Sequence, residues 1–194
     1  MSILDKHKVF LIVGRTASGK STLSKEVAQN MGLKILKSYT DRPMRDGETI
    51  EAADHIFVSP DYADHLLKNE DIIAYTDSIG DGYRRFATLN QLMESDIYII
   101  DPVGVEYLKN NLLSKTDNIE FIEVYIRVPY TNIKDHAKRR GDDFKAFYDR
   151  YKEESVQFDK YEKDKTFHYH ILNDKSINES VNDLIRIIGK ELNK

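Results

Sequence analysis

Eight consecutive residues near the start of the chain, Gly14-Arg15-Thr16-Ala17-Ser18-Gly19-Lys20-Ser21, carry the spacing G-x4-G-K-S and leave few folds open. A glycine-containing turn of this kind exposes successive backbone N–H groups at the start of a helix, where they surround an anion, so a strand must precede it and a helix must follow. Both flanks comply. Lys8 to Val13 is an apolar, β-branched run that predicts a buried strand, and Ser21 to Met31 carries Leu23, Val27, Ala28 and Met31 at helical spacing. In this setting Lys20 reaches the β- and γ-phosphates of a nucleoside triphosphate and the Ser21 hydroxyl holds Mg2+, while the other residues from Gly14 to Thr22 form the cradle. The competing reading is an ordinary glycine turn opening a helix; by background frequencies a chain of this length shows the pattern by chance about once in 150 cases.

The remaining pattern alternates buried strands with amphipathic helices. Residues 96–101, 119–128 and 169–172 read as strands, and Ser176 to Lys190 reads as a helix with Ile177, Val181, Leu184, Ile185 and Ile188 on one side and Ser176 as its N-cap. The alternation predicts an α/β fold, a three-layer α/β/α arrangement with a parallel central sheet covered on both faces. With 194 residues and 40% hydrophobic content, one domain is expected. Its core takes in residues 1–37, 95–130 and 166–194. Residues 38–94 are more polar, with a short helix from Pro60 and a turn at Gly80-Asp81-Gly82, and read as an inserted lobe. Residues 131–165 are densely charged and helical in pattern, with Phe144, Phe147, Tyr148 and Tyr151 as the apolar side, and read as a mobile lid.

Charge and composition narrow the partners. A net charge of −4 argues against a general nucleic-acid binder, and the aromatic residues show no base-stacking pattern. The chain has no cysteine, which removes disulfides, thiolate metal sites and thiol nucleophiles. Met1 to Lys8 has no signal-peptide core and no stretch is long enough to span a bilayer, so a cytoplasmic protein without membrane partners is expected. Oligomeric state leaves no trace in the sequence.

Four further segments resemble the guanylate kinase family of P-loop nucleoside monophosphate kinases. Ser38-Tyr39-Thr40-Asp41-Arg42-Pro43-Met44-Arg45-Asp46-Gly47-Glu48, followed by Asp54-His55-Ile56-Phe57-Val58, is similar to the family's S-x-T-T-R-x-P-R-x-G-E and D-Y-x-F-V elements, with the proline one position early. Asp101-Pro102-Val103-Gly104-Val105 is similar to D-x-x-G-V. Arg139-Arg140-Gly141 followed by Arg150 is similar to the family's lid, and Ile171-Leu172-Asn173-Asp174 to its I-x-N-D. The resemblance implies transfer of the ATP γ-phosphoryl group to a nucleoside monophosphate, with GMP or dGMP first in line. Such a reaction is driven by positioning and charge neutralisation, so cations must converge between the two phosphates. By resemblance Lys20, Arg140 and Arg150 are the catalytic cations. Arg42, Arg45, Ser38, Glu48 and His55 bind the acceptor phosphate, Thr88 and Asp101 face the acceptor base, and Asn173 touches the adenine of ATP.

The chain also departs from the family. His55 and Phe86 stand at positions of phosphate-binding tyrosines, with Arg84 and Arg85 as candidates for the lost contact. A lid arginine is replaced by His136, and a metal-side acid by Ile99. The guanine-reading glutamate falls near Ile73 and Ala74, so Glu70 or Asp77 serves only if the alignment slips. Asp101 is open between Mg2+ and the base, or caps the helix after it. Arg150 alone could form an i,i+4 pair with Glu154. A same-fold kinase acting on a modified-base nucleotide or a sugar bisphosphate, such as ribose 1,5-bisphosphate, is the runner-up; a non-catalytic binding module is the alternative of another class.

Overall fold

The computed structural model describes residues 6–44, 48–50, 53–77, 82–112, 116–139, 141, 143–164, 167–174 and 176–194. The first half runs β1 (His7–Val13), α1 (Lys20–Met31), β2 (Ser38–Thr40), β3 (His55–Phe57), α2 (Pro60–Asn69), β4 (Ile72–Asp77), β5 (Arg84–Thr88) and α3 (Leu89–Met93). The second runs β6 (Ile97–Ile99), α4 (Pro102–Leu112), β7 (Ile119–Arg127), α5 (Tyr130–Arg139), α6 (Phe144–Asp164), β8 (Tyr169–Leu172) and α7 (Ile177–Leu192).

The strand before the glycine loop is an inner strand of a parallel sheet ordered β6-β1-β7-β8. Because successive side chains alternate between faces, its apolar run divides in two. Phe10 and Ile12 pack with Leu23 and Val27 of α1 and with Val181, Leu184 and Ile188 of α7. Val9, Leu11 and Val13 pack with Val105, Leu108 and Leu112 of α4 and with Phe158 and Tyr161 of α6. A strand buried on both sides needs no polar face, which is why its sequence is continuous rather than alternating. Each of these side chains contributes roughly 1.5–3 kcal/mol of burial. Helix α7 begins at the expected cap: the Ser176 hydroxyl accepts from the Glu179 N–H and the Glu179 carboxylate accepts from the Ser176 N–H at 3.1 Å.

The polar stretch after α1 contains a second sheet, ordered β3-β2-β5-β4, in which β2 and β3 are parallel and the other pairs antiparallel. Ala63 and Leu66 of α2 cover Phe86 of β5, with Tyr39 alongside. Strand β4 joins the main core through Ile73 and Ala74, and its register shifts between Ile72 and Ala74.

Helices α5 and α6 cover the loop end of the main sheet. Phe147 is buried with Ile133, Ala137, Val128 and Ala17, and Tyr151 packs against them. Phe144 and Tyr148 are exposed, at 61% and 45%, contrary to the expected four-residue apolar side. Further along, α6 buries Phe158 and Tyr161 in the main core instead. No described helix is long and apolar enough to cross a membrane.

Candidate active site

The loop between β1 and α1 is held in a conformation that side chains oppose. Gly19 has φ +87°, and a Cβ there would come within 2.7 Å of the Asn173 amide nitrogen. A Cβ at Gly14 would come within 2.6 Å of the Ile126 carbonyl oxygen. Ala17 adopts φ 56°, a region rarely used by residues with a β-carbon, so the surrounding structure must enforce it. Several partners do. Asn173 donates to the Ser18 carbonyl at 2.9 Å and accepts from the Ser180 hydroxyl at 2.8 Å. His136 donates through Nδ1 to the Ala17 carbonyl at 3.1 Å. Arg15 is buried, paired with Asp159 at 2.6 Å and Glu162 at 3.0 Å, and packed on the rings of Tyr151 and Phe158. The Thr16 N–H donates to the Glu154 carboxylate at 2.8 Å. Lys20 donates to the Gly14 carbonyl and, at 2.8 Å, to the Arg15 carbonyl.

A cavity of about 720 Å³ runs from this loop to the second sheet. Gly14, Thr16, Ala17, Lys20 and Ser21 line one end; Ser38, His55 and Arg85 line the other. Between them the wall carries Ala74, Tyr98, Ile99 and Asp101, with Arg150 and Glu154 from α6. Burial pushes the Asp101 carboxyl above the ordinary carboxylate range and the Glu154 charge adds to this, against the Gly104 N–H that it accepts at 2.6 Å and the Lys20 and Arg85 charges. Burial also pushes the Tyr98 phenol up, so it stays neutral and can donate.

The end of the cavity against the second sheet has an unusual histidine. His55 shares a 2.9 Å hydrogen bond with the Ser38 hydroxyl. Burial pushes its imidazole down to about 4, helped by the Arg85 and Arg42 charges and opposed by Asp54 and Glu48. The folded protein thus refuses a proton that the unfolded chain takes up near pH 6.5. The contribution is fully present above that pH and is lost as pH falls from about 6.5 to about 4, on the order of 3 kcal/mol. Melting curves of the protein and of H55N over this range should converge on acidification; a constant gap would contradict the assignment.

Several other residues singled out in the sequence, Arg42, Glu48, Thr88 and Asn173 among them, are not in the cavity wall. Arg42 is buried, forked onto Glu48 at 2.7 and 2.8 Å, and stacked 4.8 Å over Phe57. Its Glu48 partner is used in holding it. Thr88 is buried and caps α3, accepting from the Gln91 N–H at 3.3 Å. Asn173 holds the glycine loop from behind, and Thr22 is exposed. Arg84 is engaged by Asp41 and Asp64, which leaves Arg85 as the cation of that pair in the wall. Glu70 is exposed beyond α2, Ile73 is buried in the core, and Ala74 is the residue of this group that reaches the cavity. Arg150 makes the i,i+4 pair with Glu154 at 3.2 Å. Arg45, Gly47 and Arg140 lie outside the described residues, as do Gly80 and Asp81.

Sequence reasoning placed Arg15 only within the loop's cradle and Glu154 only as a pair for Arg150, and passed over Tyr98 as a site residue. A signal existed for the first: Tyr151, Ser155, Phe158, Asp159 and Glu162 recur at helical spacing on one stripe of α6, and that stripe meets Arg15. Its acids resemble a solvated face until the arginine is placed opposite them.

The guanylate kinase family model matches residues 6–191. The chain is 32% identical over 108 residues to a guanylate kinase of Neisseria meningitidis serogroup A, covering 55% of this chain and 52% of that protein. It is 27% identical over 145 residues to a guanylate kinase of Fusobacterium nucleatum, covering 68% and 76%. The matched segment thus spans about half the length of the Neisseria relative. A crystal structure of guanylate kinase from Anaplasma phagocytophilum superposes with a TM-score of 0.66 at 21% identity, covering 97% of this chain and 88% of that one, a likeness of fold.

Proposed function

Because the chain belongs to the guanylate kinase family, we propose that it transfers the γ-phosphoryl group of ATP to GMP or dGMP, releasing ADP and the nucleoside diphosphate. One observation carries this reading. A single cavity joins the phosphate loop, with Lys20 and Ser21, to Ser38, His55 and Arg85 on the second sheet, so donor and acceptor can meet in one space. In the transfer an acceptor phosphate oxygen forms a bond to the γ-phosphorus while the bond to the β,γ-bridging oxygen breaks. The electron pair leaves with ADP. No side chain has to become a nucleophile.

The residues divide the work between them. Lys20 holds the β- and γ-phosphates, and Arg150, with Arg140, neutralises charge on the transferring group. The neutral His55 donates an N–H to the acceptor phosphate, beside Arg85, Ser38 and the Arg42 charge behind them; Arg45 belongs to the same group. Asp101 and Tyr98 offer an acceptor and a donor to the base. Ala74 offers no carboxylate, so the base is held by fewer polar groups than the family resemblance implies.

The donor set also suits Mg2+, a hard cation that takes oxygen ligands. The Ser21 hydroxyl and the Asp101 carboxylate line the same cavity, and Ser21 would hold the ion together with phosphate oxygens. When bound, Mg2+ neutralises phosphate charge.

ADP release measured with a panel of monophosphates, and with ribose 1,5-bisphosphate, tests the proposal. Turnover is expected with GMP and dGMP above the other acceptors. No turnover with any nucleoside monophosphate would overturn the reading.

A further inference from the structure

An acid from the far side of the site reaches the phosphate loop. The Glu154 side chain is only 17% exposed. One carboxylate oxygen accepts from the Thr16 backbone N–H at 2.8 Å and the other from Arg150 Nε at 3.2 Å. It lines the same cavity as Lys20, Ser21 and Asp101, close enough for its charge to act on the Asp101 carboxyl. An i,i+4 ion pair on an exposed helix face would need none of this. A carboxylate that engages a phosphate-loop amide and a cavity arginine together uses the kind of donors that receive phosphate oxygens.

We propose that Glu154 is a positioning residue that competes with the triphosphate for the Thr16 N–H and Arg150, and that triphosphate binding displaces it and frees Arg150 for the transferring phosphoryl group. The inference rests on the reading that the loop from Gly14 to Ser21 holds ATP. Its physical basis is that a carboxylate and a polyphosphate repel each other in one partly buried space, so each weakens the other's hold on shared donors. Glu154 therefore sets ATP affinity downward while holding Arg150 at the cavity wall. The charge, rather than the hydrogen bond, does this.

Titration calorimetry of the full chain with ADP and with a non-hydrolysable ATP analogue tests it. Glu154→Gln keeps an acceptor for the Thr16 N–H but removes the charge, and should bind the analogue about tenfold more tightly. Glu154→Ala should also bind more tightly, which covers the case of a misplaced glutamine. A purely structural acid would instead loosen the loop when removed and weaken binding. In spectra, the Thr16 amide resonance should differ between nucleotide-free protein and E154A and should coincide once both are saturated with the analogue. Unchanged or weaker analogue binding by both variants, in protein that melts as wild type does, overturns this inference alone. Failure of the wild-type protein to bind either nucleotide overturns the proposed function with it.

Discussion

Replacing Lys20 by methionine is expected to lower kcat by about 10²–10³-fold, with a much smaller change in the KM for ATP. The Lys20 ammonium donates to the carbonyls of Gly14 and Arg15 and lines the cavity. Those carbonyls belong to the loop itself, so the ammonium is held over the space it serves. Charge on the transferring group develops mainly in the transition state, and a pre-placed cation is worth most there. Methionine keeps the aliphatic volume, so circular dichroism and the melting curve should change little. Single-turnover kinetics separates the two effects, and activity within tenfold of wild type would remove Lys20 from the machinery. Arginine should not rescue, because a planar fork cannot occupy the place of a compact ammonium.

The second large effect belongs to Arg42. Arg42→Ala should raise the KM for the acceptor by about tenfold, since its charge acts from behind the cavity wall, and leave the KM for ATP near its wild-type value. It should also cost about 3 kcal/mol of stability, because Glu48 would keep its charge in a largely buried position without the two-pronged Arg42 contact. The double variant R42A/E48A separates these outcomes. Removing both charges should restore most of the stability and none of the acceptor affinity. Arg42→Lys keeps the charge but loses the two-pronged fit to Glu48 and the stacking over Phe57, so an intermediate KM is expected. If stability falls in R42A while the acceptor KM stays put, Arg42 is a brace for the second sheet and not part of the phosphate site.

Much of the main sheet was legible because its strands are buried on both faces. The runs at 8–13, 119–128 and 169–172 fall on β1, β7 and β8 to within one residue, and the helix expected from Ser176 starts at its capping box. The second sheet was not legible. Strands β2 and β3 have three residues each, too few for alternation to show, and β4 and β5 are paired around polar residues such as Thr76, Arg84 and Arg85. Their register is set by partners distant in sequence. The same limit applied to α6, whose stripe of acids and aromatic rings has meaning only opposite Arg15.

The site divides along similar lines. A local backbone requirement writes itself into sequence, since only certain residues allow the turn from Gly14 to Gly19 and only a following helix supplies the anion-binding end. The sequence therefore determined, unaided, that a phosphate loop stands between a buried strand and a helix. Which side chains face the resulting cavity depends on packing between elements far apart in the chain. Tertiary structure decided that Arg85 and His55 line the cavity at the second sheet, that Arg42 is held by Glu48 and Thr88 is spent on a cap, and that Glu154 reaches the loop. Sequence spacing reports neighbours along one element; the direction of a side chain across a cavity is fixed by what the opposite elements leave unfilled.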